Sequence, residues 1–148
     1  MCVTRDNTIG KFDSPLGYNT DARSISSAAC PAITGDYLDN SIGAHHGFVR
    51  APNGTLTSFD VPAAGTGAGH GTSARSINAA GVITGDYIDS ASAYHGFVRA
   101  ANGGITTFDA PGAGTGSGQG TIPAVINSAG VITGYLLDSS NVHHGFVR

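Results

Sequence analysis

The sequence predicts an all-β protein, a β-propeller of four-stranded blades with three blades in the chain. Three observations lead there. The pentapeptide HGFVR is written at 46–50, 95–99 and 144–148, so that His46, His95 and His144 stand 49 residues apart. Around each copy runs the same succession of short apolar segments and glycine-bearing turns. The large apolar side chains are mainly Ile, Val, Phe and Tyr, which favour strands, whereas helix-favouring Glu is absent.

One full unit reads, from Gly71, GTSARSIN–AAG–VITGDYID–SASAY–HGFVRA–ANGG–ITTFDAP–GAGTGSGQ. Its first strand lies in ARSINAAG (74–81), matched by ARSISSAAC (22–30) and AVINSAG (124–130). The second is VITGDYID (82–89), matched by AITGDYLD (32–39) and VITGYLLD (131–138). The third is HGFVR itself. The fourth lies in NGGITTFDAP (102–111), matched by NGTLTSFDVP (53–62) and by NTIGKFDSP (7–15). Asn-Ala-Ala-Gly and Ala-Asn-Gly-Gly are hairpin links of turn chemistry. Alternation of polar and apolar residues is weak, as expected of a sheet covered on both faces by neighbouring copies.

The third unit has no fourth strand, and 7–15 is a fourth strand with nothing before it. The two ends together complete one blade. Three blades do not close a propeller, whose usual minimum is about four. The expectation is therefore a single repeat domain over 1–148 that pairs as a homodimer into a six-bladed ring, each chain lending its N-terminal strand to the other. A monomeric β-trefoil is the alternative fold.

The motif set INxxGxITGxYxD…HGFVR…GxxTxFDxPGA resembles the HAF-type extracellular repeats of bacterial proteins. In strand and turn order it also resembles NHL-type propeller blades. The resemblance covers nearly the whole chain, the first 20 residues being the least regular. It implies blade-like units and an extracellular or cell-surface location, and it implies no particular activity.

Composition removes several function classes. Seven basic and ten acidic residues give a net charge of −3, with one Lys and scattered Arg. A nucleic-acid groove needs clustered cations. No apolar run approaches the roughly 20 residues of a helical membrane span. The opening MCVTRDNTIG carries no apolar h-region. Cys2 and Cys30 could form one disulfide but are too few for a disulfide scaffold.

Candidate functional residues sit on the longer loops, VPAAGTGAGHGT (61–72), APGAGTGSGQGT (110–121) and the segments before each HGFVR. The repeated His46, His95 and His144 could form a ring of ligands, but a residue present in every blade more often holds the blade, here through the Asp of FD. Asp39, Asp89 and Asp138 could bind ligand or cap turns. The glycine-rich runs lack the Lys-Ser/Thr ending of a phosphate loop. No spacing supports zinc, and no metal or cofactor is expected. Positions where the units disagree are more suggestive. His70 becomes Gln119, Arg23 and Arg75 become Ala124, and Asp36 and Asp86 become Tyr135. Arg23 and Arg75 are expected near the axis, to bind a ligand or to pair with Asp21 or Asp86. Tyr94 and Tyr135, with Tyr18, would supply aromatic surface in a chain without Trp.

The function expected is a lectin-like module holding a small polar, carbohydrate or anionic ligand at the channel mouth. A hydrolase or lyase with a His/Asp/Arg site in the channel is one alternative. A structural repeat module of a larger surface protein is the other.

Overall fold

The computed structural model describes residues 10–148. They fold into strands and turns alone. The first unit holds β1 (Gly17–Ile25), β2 (Ile33–Asp39), β3 (His45–Arg50) and β4 (Leu56–Phe59). The second holds β5 (Gly71–Ile77), β6 (Ile83–Ile88), β7 (Tyr94–Arg99) and β8 (Ile105–Phe108). The third holds β9 (Gly120–Ile126), β10 (Ile132–Leu137) and β11 (His143–Val147). Each unit is an antiparallel meander in chain order.

Neighbouring units meet at a single parallel bridge, His45 with Gly71 and Tyr94 with Gly120. Both glycines lie in the left-handed region, at φ 113° and 125°. A Cβ at either would run into the backbone of His45 or Tyr94. Only glycine lets the chain swing this close to the preceding unit. The result is one mixed sheet of eleven strands that does not close on itself. The expected β chain and strand order are present; a closed ring and a trefoil barrel are not.

The expected N-terminal strand at 7–15 is only partly visible. Residues 7–9 lie outside the described residues, and residues 10–14 join no strand ladder. β11 pairs with β10 alone among the described strands. The segment nonetheless occupies a fourth-strand position ahead of the first unit. The Ser14 N–H donates to Thr20 Oγ1 at 2.8 Å, as the Val61 and Ala110 N–H groups donate to Thr72 and Thr121 Oγ1 at 2.9 Å.

Strand alternation gives each unit two faces. In the first unit Ile33, Tyr37, His46, Phe48 and Arg50 share the face turned to what precedes. Thr34, Asp36, Leu38, His45 and Val49 share the face turned to the second unit. Each junction is built around the phenylalanine of the FD motif. Phe59 lies over Gly47 of its own unit, where a Cβ would meet the ring at 2.8 Å. Its other side meets Phe97 of the next unit edge-on at 6.0 Å, with the Arg99 guanidinium 4.8 Å above the ring. Phe108 repeats this with Gly96, Phe146 and Arg148. Phe12 repeats the second half, with Phe48 at 6.1 Å and Arg50 at 4.7 Å. The HGFVR pentapeptide is thus the complement of FD. Its Gly makes room for one phenylalanine, and its Phe and Arg grip the previous one.

Around this pair the core closes. Val61, Ala74, Ile77, Ile83, Tyr87 and Phe97 are buried together, with Ala32, Val49 and Phe59 of the first unit packed against them. Hydroxyls tie the layers. The Ser24 and Ser76 Oγ atoms accept from the Ile77 and Ile126 N–H groups at 3.2 Å, crossing each junction.

Phe97 is fully buried at the centre of this arrangement. Phe97→Ala should cost about 3–5 kcal/mol in denaturant unfolding. Phe146→Ala, at a half-buried site in the last unit, should cost clearly less.

Candidate functional site

The candidate residues separate into three groups. The first is a row of polar side chains on the first strands of the units. A register shift in β1 between Ala22 and Ser24 sets Arg23 outside the regular ladder, and the same shift in β5 does so for Arg75. The bulge turns each arginine onto the buried carboxylate of its own second strand. Arg23 Nε donates to Asp36, and Arg75 Nε donates to Asp86. Arg23 also reaches Asp21 at 3.4 Å.

Two further partners set the first pair apart, Asp21 on Arg23 and His45 on Asp36. His45 Nδ1 lies 3.0 Å from Asp36 Oδ2. The matching position in the second unit is Tyr94, and no hydrogen bond joins it to Asp86 among the described residues. Burial alone would raise the Asp36 pKa, but the hydrogen bonds from His45 and Arg23 outweigh it and hold the carboxyl below its ordinary value. At Asp86 burial wins over Arg75, and the carboxyl is pushed up. In the third unit Ala124 replaces the Arg and Tyr135 the Asp, while the position of His45 remains histidine as His143. Tyr135 stacks on His143 at 4.9 Å, nearly parallel at 10°. Arg23, Arg75, Ala124, Asp21 and Ala22 line an open depression of about 490 Å³.

The second group is the repeated histidine. His46 Nδ1 donates to Asp60 at 2.9 Å, and His95 Nδ1 to Asp109 at 2.9 Å. The opposite ring nitrogen of His95 lies 3.3 Å from Asp89. His144 meets Asp138 at 3.1 Å. His46 stacks on Tyr37 at 5.4 Å and His95 on Tyr87 at 5.0 Å. Each imidazole therefore links the FD aspartate or the turn aspartate to its own unit. Adjacent histidines point to opposite faces, as the strand period requires: His45 reaches Asp36 while His46 reaches Asp60. In the third unit the tyrosine has moved one place along the strand, and the stack moves with it to His143 and the other face.

The third group holds loops. Asp39 Oδ1 accepts from the Ser41 and Ile42 N–H groups, Asp89 from Ala91 and Ala93, and Asp138 from Ser140 and Val142. These are turn caps. The hydrogen bonds hold the Asp138 carboxyl below its ordinary value, as those from Ser41 do for Asp39. His70 Nε2 lies 3.0 Å from Ser92 Oγ, and Gln119 Nε2 donates to Ser139 O and Asn141 Oδ1. Both bind one unit's long loop to the next unit's turn. Among the described residues no group of His, Cys and Asp has metal-site geometry.

The repeated histidines are each engaged within their own unit and share no common site among the described residues. Arg23 and Arg75 share one depression. Histidines and turn aspartates lie apart from it, except His45, which reaches Asp36 beside Arg23. Sequence reasoning missed the roles of Asp36 and His45. Part of the signal was present: positions 23 and 36 change together between the first and third units, to Ala124 and Tyr135.

Compared with protein-family models, curated proteins and solved structures, the chain has no match in any of the three.

The carboxyl shifts have opposite signs for stability. Asp36, depressed, contributes stability above its unfolded value of 3.8, lost as pH falls through its lower folded value. Asp86, raised, favours the fold below 3.8 and loses that contribution as pH rises through its folded value. Asp36→Asn should therefore cost about 1–3 kcal/mol at neutral pH, and Asp86→Asn less. In thermal melts the Asp36→Asn deficit should shrink below about pH 4; equal deficits for the two variants at every pH would contradict this assignment.

Proposed function

We propose that the three units are blades of a β-propeller and that the chain is a ligand-binding module, secreted or displayed at a cell surface. The ligand site is the depression between Arg23 and Arg75. The observation that carries this reading is the state of Arg75. Its guanidinium lines the depression, and among the described residues only its Nε is engaged by a carboxylate. The remaining donors suit a ligand with several acceptor oxygens. Two arginines stand among three aspartates, Asp21, Asp36 and Asp86. That balance favours a neutral polyhydroxyl compound over an anion, which narrows the expectation from the sequence to a lectin-like function.

The stacked meanders, each bridged to the next by a parallel contact, support the blade reading, as does the resemblance of the repeat to HAF-type and NHL-type units. Cys30 is disulfide-bonded, which suits an oxidising compartment; Cys2, the only other cysteine, lies outside the described residues. An enzyme in the channel gains no comparable support. The histidines and aspartates that would act as acid and base are joined to one another and to turn N–H groups.

A glycan array followed by calorimetric titration tests the proposal. Arg75→Gln should weaken binding of a captured neutral sugar by about tenfold or more, equivalent to about 1.4 kcal/mol, and should also lower the melting temperature, because the buried Asp86 loses its partner. A wild-type protein that captures no glycan would overturn the ligand reading. So would a variant that melts much earlier yet binds as before.

A further inference from the structure

We infer that the open face of the third unit receives the first unit of a second copy of this chain, with the partner's Phe12 laid over Gly145. The inference comes from the two internal junctions, whose halves are both exposed at the ends of the sheet.

The rear half of a junction is formed by the glycine of HGFVR, the valine after its Phe, and the residue before ITG. In the first unit these are Gly47, Val49 and Ala32, and the second unit covers them. In the third unit they are Gly145, Val147 and Val131. Val147 is 75% exposed and Val131 43%. Among the described residues no phenylalanine lies over this glycine. A Cβ on Gly47 or Gly96 would meet Phe59 or Phe108 at 2.8 or 2.7 Å, whereas a Cβ on Gly145 would meet nothing within 4 Å.

The front half is formed by the last Ile of the first strand, the Phe and Arg of HGFVR, and a docked FD phenylalanine. Ile77 and Ile126 occupy this position with 5% exposure each, and Ile25, their counterpart, is 61% exposed. Phe12 is already seated against Phe48 and under Arg50. It has the contacts that Phe59 makes with the next unit and lacks the contact that Phe59 makes with Gly47. Phe12 needs a glycine, and Gly145 needs a phenylalanine.

The third unit is also not made as a solvent cap, whose outer face is normally polar. Arg75, Ser76 and Asp86 on the rear of the second unit become Ala124, Val125 and Tyr135. Val125 and Tyr135 are exposed, and the outer edge of β11 is unpaired among the described strands. Side chains became more apolar where a cap would become more polar. A second copy supplies the apolar face and the segment 10–15 that fit. Such a head-to-tail contact closes into a ring or runs on as a filament. Two chains of three units reach six, within the usual propeller range of about four to eight blades. The closure rests on the propeller reading; the junction does not.

Light scattering on size-exclusion chromatography at micromolar concentration, without ligand, tests this. The wild type should run at twice 14.8 kDa. Gly145→Val, which meets nothing within the chain, should run as a 14.8 kDa monomer with an unchanged circular dichroism spectrum. Val147→Lys on the same face should do the same. A larger polymer that both variants reduce to monomer would keep the junction and overturn the ring. A monomeric wild type overturns the inference, as does a dimer that neither variant weakens by at least about tenfold. Failure to bind glycans would leave this result untouched.

Discussion

A phenylalanine ring held between a glycine of its own unit and a phenylalanine–arginine pair of the next is the contact on which this architecture depends. The ring at Phe59 cannot sit against the β3 strand unless residue 47 lacks a side chain. Phe97 cannot be fully buried unless that ring covers it. The guanidinium of Arg99 caps the stack from above, a cation over an aromatic face. Because each ring spans two units, no unit buries its core alone, and each is completed by its neighbour. The repeated HGFVR is therefore one half of a lock whose other half is FD.

The polar residues follow from the same stacking. Stacking covers Asp36 and Asp86, which the chain carries on the rear face of each second strand. A buried carboxylate needs a partner. The bulge in the first strand delivers an arginine to each, and the first unit adds His45. Where the arginine is absent, at Ala124, the carboxylate is absent too, and Tyr135 stacks on His143 in its place. The His–Asp links have the same origin. The FD aspartate ends the fourth strand opposite the histidine of the third, so the first and second units each fasten their own edge strand.

Much of this was legible in the sequence. The 49-residue period, the four segments of the first and second units, the three of the third and their order correspond to the observed strands. The repeated histidine could be read as a link to the FD aspartate, and YxD as a turn cap. Other features could not be read. A bulge depends on where two strands fall out of register, and nothing in ARSI distinguishes it from a regular strand. The side on which Arg75 lies, and its choice of Asp86, follow from that shift. The parallel bridge at Gly71 and Gly120 was hidden because those glycines belonged to glycine-rich loops, where any one could have been the close approach. The open sheet, by contrast, was legible: three units do not close a ring, and within the described chain β11 pairs with β10 alone.

The differences between units carry more information than their likenesses. Symmetric positions report what every unit needs, so they report stability. The third unit departs from the pattern at 124, 125 and 135, all on its rear face and all toward less polar side chains. The internal junctions tolerate a buried Arg–Asp pair because their two halves are tethered and fold together. Desolvating such a pair between separate molecules costs more than its attraction returns unless its geometry is very good. A surface that must first be wet and then dry is better built from Ala, Val and Tyr, which lose little on leaving water and gain on being covered. By this physical criterion the third unit's rear face suits the association proposed above, and the carboxylate-paired side of each arginine in the first two units serves the fold.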